Sequence, residues 1–139
     1  MLNFDQPVLI IDDSEIDRYI LKRQLRSIGF NNVNEADGPQ AALQSIEKAE
    51  QRQEAVPRLL ILDMHMPTCS GLEFLISIRD KFDSGLLHES KVLMYSATEN
   101  PNEQTAILQQ PMVCGFIVKG AELSVIEETL AAVIEGSVG

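Results

Sequence analysis

The sequence has no tryptophan and few aromatics of any kind, and its two cysteines, Cys69 and Cys114, stand far apart. Neither sits in a CxxC or CxxC-His arrangement, which leaves no basis for a zinc site or a disulfide framework. Basic residues are scarce: 11 Lys and Arg oppose 21 Asp and Glu, for a formal net charge of -10. Phosphate-rich partners need a positive field, so nucleic acid and anionic membrane surfaces are not expected partners. Long apolar runs are missing too, since no window approaches the roughly 18 residues of a membrane span. The opening "MLNFDQPVLIIDD" has neither the basic start nor the apolar core of a signal peptide. Together these absences predict a cytoplasmic protein in a reducing setting.

What is present is a core large enough for one domain. The chain has 139 residues, 45% of them apolar, which suits a single domain over 1–139 and leaves little room for a second module. Short aliphatic runs alternate with longer amphipathic stretches, the pattern of repeated βα units around a parallel sheet. "PVLIID" reads as a first strand, followed by a helix that Ser14 can cap and Gly29 can stop, with Ile16, Ile20, Leu25 and Ile28 at near-helical spacing. "NNVNEA" is a weaker strand. "GPQAALQSIEKAEQRQ" is a helix entered at Pro39, with Leu43 and Ile46 on one face. "RLLILD" is the third strand, and Leu72, Leu75, Ile78 and Phe82 lie along a third helix. "KVLMYSA", "PNEQTAILQQ" and "VCGFIVK" supply strand, short helix and strand. A last helix carries Leu123, Ile126, Leu130, Val133 and Ile134.

Strands one, three and four are apolar throughout instead of alternating, which implies burial on both faces by helices. Five such units are most economically arranged as an α/β flavodoxin-like doubly wound sheet in the order 2-1-3-4-5, with five helices. Its first and third strands are then neighbours, and the gap between them is the switch point where ligands sit.

Polar residues close the strands at that edge. Asp12 and Asp13 end strand one, Asp63 ends strand three, Ser96 ends strand four and Lys119 ends strand five. Three carboxylates in one cleft repel each other and push at least one pKa upward unless a cation joins them. Asp12, Asp13 and Asp63 contribute minus three and Lys119 plus one. A divalent cation would neutralise that sum, and Mg²⁺ suits it because it takes one or two carboxylates while keeping room for phosphate oxygens. An aspartate beside Mg²⁺ can attack phosphorus, with Lys119 and the Ser96 hydroxyl holding the equatorial oxygens as charge builds.

These residues resemble the response-regulator receiver domain, of the stand-alone chemotaxis type, over nearly the whole chain. "VLIIDDSEIDRYIL" is similar to its acidic-pair segment, "LLILDMHMPTCSGLEFL" to its phosphoacceptor segment, "VLMYSAT" to its hydroxyl segment and "GFIVKG" to its lysine segment. The resemblance implies that Asp63 is the phosphoacceptor and that Asp12, Asp13, Asp63 and the backbone carbonyl of His65 bind Mg²⁺. It also implies that Ser96 senses the phosphoryl group, Lys119 pairs with it, and Phe116 is the switch aromatic. His65 and Thr98 would stand near the phosphoryl group. The implied partners are a sensor histidine kinase or phosphotransfer protein and a downstream effector, with no attached output domain. The sequence departs from the pattern at Gly120, where proline commonly follows the lysine, and at Ser70, where aspartate is frequent; Ser70 reads as a helix cap.

Plainer roles compete residue by residue. Asp12 and Asp13 could favour the first helix dipole, Asp63 could end a strand, and Ser96 and Lys119 could be solvated turn residues. The His65 ring reads as a cleft-rim group without chemistry, His88 as a loop residue, Cys114 as core and Cys69 as a loop thiol; Met64 and Met66 read as packing. Two other functions are weighed. A pseudo-receiver would use the fold as a docking surface without phosphorylation. An aspartate-dependent phosphatase would need a second acid two residues after the nucleophile, where "DMHMP" has His65.

Overall fold

The structure is a computed structural model describing residues 4–83, 85–97 and 100–134. In chain order its elements are β1 (Val8–Ile11), α1 (Glu15–Ile28), β2 (Val33–Ala36), α2 (Pro39–Gln51), β3 (Leu59–Asp63) and α3 (Gly71–Ser77). They continue with α4 (Arg79–Asp83), β4 (Lys91–Ser96), α5 (Pro101–Leu108), β5 (Val113–Val118) and α6 (Leu123–Ile134). The strands form one sheet in the order β2-β1-β3-β4-β5, every pair parallel. This is the expected doubly wound α/β arrangement. Among the described residues no helix is long and apolar enough to cross a membrane.

β1 and β3 are buried along their whole length, as unbroken apolarity predicts for strands covered on both faces. Side chains alternate across the sheet and feed two separate cores. Val8, Ile10, Leu59, Ile61, Leu93 and Tyr95 pack with Leu21 and Leu25 of α1 and Ile126 and Leu130 of α6. Leu9, Ile11, Leu60, Leu62 and Met94 pack with Ile46 of α2, Phe74 and Leu75 of α3 and Ile107 of α5. Met64 and Met66 are buried packing residues.

Three sequence-based expectations need correcting. The buried stripe of α1 is Leu21 and Leu25, while Ile16 is 72% exposed and Ile20 42%. At about 100° per residue, Ile20 lies a quarter turn and more from Leu21, so four apolar residues at near-helical spacing did not share one face. The third helix is interrupted at Ile78, giving six helical segments instead of five. The Ser77 hydroxyl donates to the Phe74 carbonyl at 2.6 Å, a back-bond of the kind that accompanies helix bends, while the same carbonyl still accepts the Ile78 N–H at 3.2 Å. Cys114 is exposed, because β5 is an edge strand with only part of its length buried.

Candidate functional site

The carboxyl edge of the sheet collects the predicted residues. Asp12 and Asp63 continue the rows Val8, Ile10 and Leu59, Ile61, so both belong to the side of the sheet that α1 covers. Asp12 is fully buried and held from three directions. Its N–H donates to Ala36 O of β2 at 3.1 Å, its carbonyl accepts from Arg18 Nη1 at 2.8 Å, and its Oδ1 accepts from the Ser14 N–H at 2.9 Å. Ser14 in turn caps α1 through the Asp17 N–H, so one capping turn positions both the helix and the acid.

Asp63 is 5% exposed and its Oδ1 accepts the His65 N–H at 3.3 Å. The turn that follows runs tightly against it: Gly71 N–H donates to Met64 O. A Cβ on Gly71 would stand 2.6 Å from Asp63 O and 2.9 Å from Met94 Cε, a contact only glycine avoids. Ser70 and Glu73 make a reciprocal capping box at the start of α3, so Ser70 is a helix cap as expected.

Asp12, the exposed Asp13 and Asp63 each bring a carboxylate oxygen within 4.8 Å of the others. Burial raises the Asp63 pKa to about 6, the Asp12 charge adds to the rise, and Lys119 and the His65 N–H oppose it. The Lys119 ammonium lies 2.8 Å from Asp12 Oδ2, 2.8 Å from Asp17 Oδ2 and 3.6 Å from Asp63 Oδ1. The contact with Asp17 is a directed hydrogen bond. Asp12 Oδ2, by contrast, is buried without a hydrogen-bond donor of acceptable geometry among the described residues. Buried carboxylate oxygens of Asp12 and Asp63 beside the exposed Asp13 make an all-oxygen donor set suited to a hard divalent cation.

The root of Lys119 is fixed by its N–H donating to Ser96 O at 2.8 Å, which ties β5 to the end of β4. Burial by itself would depress the lysine pKa, but the carboxylates of Asp12, Asp17 and Asp63 reverse this and raise it. Gly120 has φ +90, and Ala121 N–H donates to Val118 O at 3.0 Å. Positive φ at the third position of such a turn is what type II geometry demands. Glycine thus makes the turn where proline was the commoner expectation. Ser96 is buried, and Phe116 is partly buried against the core that α5 covers. The His65 ring is exposed and turns outward to Glu103, Nε2 to Oε1 3.0 Å. Thr98 lies outside the described residues.

Two members of the site were missed in the sequence. Asp17 reads as an ordinary first-turn helix acid, and Tyr95 as one more apolar strand residue. Yet Asp17 bonds Lys119 across 102 positions of sequence, and the Lys119 ammonium sits 5.2 Å from the centroid of the Tyr95 ring. Burial and the charge of Asp17 push the Tyr95 hydroxyl up to about 12. With hindsight the signal for Asp17 was its place one helical turn beyond the acidic pair.

A doubly wound parallel sheet with an acidic, lysine-bearing cleft at its switch point defines the class of receiver-like α/β domains. The chain belongs to the family described as response regulator receiver domain, whose sequence model matches residues 8–131. It is 35% identical to the chemotaxis protein CheY-3 of Vibrio cholerae over 135 residues, 97% of this chain and 96% of that one. It is 32% identical to the chemotaxis protein CheY of Pseudomonas aeruginosa, over 92% of this chain and 95% of that one. In fold it resembles the structure of Vibrio cholerae chemotaxis protein CheY4, with TM-score 0.77 and 24% identity over 94% of this chain and 99% of that chain.

Proposed function

We infer that this receiver accepts a phosphoryl group on Asp63 from a sensor histidine kinase or phosphotransfer protein, and signals through a changed protein-binding surface. The observation that carries this reading is the meeting of Asp12, Asp13 and Asp63 oxygens within 4.8 Å, with the Lys119 ammonium alongside. Asp63 has a pKa of about 6, so at neutral pH it is mostly a carboxylate and needs no general base. One of its oxygens forms the bond to phosphorus as the donor's bond to phosphorus breaks, and the donor leaves with that electron pair. Lys119 and the Ser96 hydroxyl receive the equatorial oxygens. Asp12, Asp13, Asp63 and the His65 carbonyl would hold Mg²⁺, which supplies positive charge against the acids and the incoming phosphoryl oxygens.

The readout we propose runs from Ser96 through the loop that follows it to Phe116 and α5. Ile107 is the sole buried residue of α5 among those described, and an open pocket of about 300 Å³ lined by Met64, His65, Leu72, Glu103 and Ala106 separates its first turns from the start of α3. An element so lightly anchored can shift at small free-energy expense. Phe116, partly buried, would change its burial and not a hydrogen bond.

The competing readings gain no support. Gly120 completes a turn and Ser70 caps a helix, so neither departure from the family pattern disables the site as a pseudo-receiver would require. A phosphatase would need an acid where the exposed His65 stands. Incubation with Mg²⁺ and acetyl phosphate, followed by detection of a base-labile phosphoryl adduct, tests the assignment. Labelling of the wild type and its loss in Asp63→Asn are expected. An unlabelled wild type, or an Asp63→Asn variant labelled equally, would overturn it.

A further inference from the structure

We propose that Asp17 is a positioning residue: it holds the Lys119 ammonium on the α1 side of the cleft, away from Asp63, until an incoming phosphoryl group draws the lysine across. The inference rests on Asp63 being the phosphoacceptor. Three observations carry it. The lysine backbone is pinned by its N–H to Ser96 O at 2.8 Å, so the ammonium moves only by side-chain rotation. That ammonium is bracketed by Asp12 and Asp17, each at 2.8 Å, and by the Tyr95 ring at 5.2 Å. Of the three acids within 4 Å of it, Asp63 is the farthest, at 3.6 Å.

Of the acids at 2.8 Å, Asp17 makes the directed hydrogen bond. Asp12 Oδ2 holds the same ammonium from the other side at the same distance. Asp17 therefore competes with the phosphoryl oxygens for the one lysine that can pair with them. It also adds a fourth negative charge to a cleft that must admit an anionic donor. Both effects slow phosphoryl uptake and have the same sign.

The test compares the wild type with Asp17→Asn, Asp17→Glu and Glu15→Gln. Glu15 is also a first-turn acid of α1, so its variant isolates the effect on the helix dipole. In the metal-free protein, nitrogen-15 NMR of the Lys119 ammonium reads how fast its protons exchange with water. Slow exchange is expected in the wild type and in Asp17→Glu, and fast exchange in Asp17→Asn. With Mg²⁺ and acetyl phosphate, Asp17→Asn is expected to label about fivefold faster than wild type, the upper range for a partly exposed ion pair. Glu15→Gln should label at the wild-type rate. Unchanged Lys119 exchange or unchanged labelling in Asp17→Asn would overturn the proposal, as would equal acceleration by Glu15→Gln. Absence of labelling in the wild type would instead overturn the phosphoacceptor assignment, while the exchange measurement would still report the lysine's position.

Discussion

At the scale of single residues, Asp63 is the group on which charge and stability are most directly linked. Its pKa is raised from 3.8 to about 6 by burial first and by Asp12 second. A carboxyl group with a raised folded-state pKa contributes stability that is full below the unfolded pKa and lost as pH climbs through the folded one. Between about pH 4 and 6 the metal-free protein should therefore lose stability, and above pH 6 the ionised Asp63 should remain a burden of roughly 3 kcal/mol at about 1.4 kcal/mol per unit. Asp63→Asn should stabilise the metal-free protein by that order at pH 7.5 and by nearly nothing at pH 4. Urea denaturation at the two pH values checks this; equal effects at both would refute it. Lys119→Met should push the Asp63 pKa higher still, because it removes the one cation that opposes the rise, and carbon-13 NMR of the carboxyl would report it. Asp12, Asp13, Asp63, Ser96 and Lys119 were legible in the sequence because each directly follows or ends an apolar run. Asp17 was not, because a first-turn acid has an ordinary role of its own and its bond to Lys119 spans two distant elements.

At the scale of elements, the turn from β3 into α3 is built with little tolerance. Gly71→Ala places a methyl group against Asp63 O and Met94 Cε, and overpacking against backbone costs about 2 kcal/mol or more. Ser70→Ala removes the capping box of α3 and should cost about 1 kcal/mol. Thermal denaturation of the two variants should rank Gly71→Ala as the more destabilised, and the reverse order would show that the backbone yields at Gly71. The starts of α1 and α3 were well marked in the sequence because Ser14 and Ser70 cap through local bonds to the next few N–H groups. The interruption at Ile78 was not marked, since no proline or glycine announces it. The exposure of Ile16 and Ile20 was also illegible: which arc of α1 faces the sheet depends on how the helix is set down, not on spacing alone.

At the scale of the whole molecule, acidic residues outnumber basic ones by 21 to 11, and several of the acids are concentrated at one sheet edge. A ligand that binds only the folded state stabilises it by mass action, about 2.7 kcal/mol at one hundred times its dissociation constant. Excess Mg²⁺ at pH 7.5 should accordingly raise the melting temperature, and chelation should reverse the shift. Asp12→Asn and Asp13→Asn should each shrink the response. A melting temperature indifferent to Mg²⁺ in the wild type would count against the cation site.

Much of the architecture was determined by the sequence alone. Unbroken apolar runs can be buried only between helices, and parallel strands joined by helices bring their carboxyl ends to one edge, so the meeting of Asp12, Asp13, Asp63, Ser96 and Lys119 followed from topology. Tertiary structure decided what happens within that edge: that Lys119 lies nearer Asp12 and Asp17 than Asp63, and that the His65 ring turns away to Glu103. Those outcomes depend on side-chain rotation over a few ångströms and on contacts between residues distant in the chain, which neither periodicity nor spacing encodes.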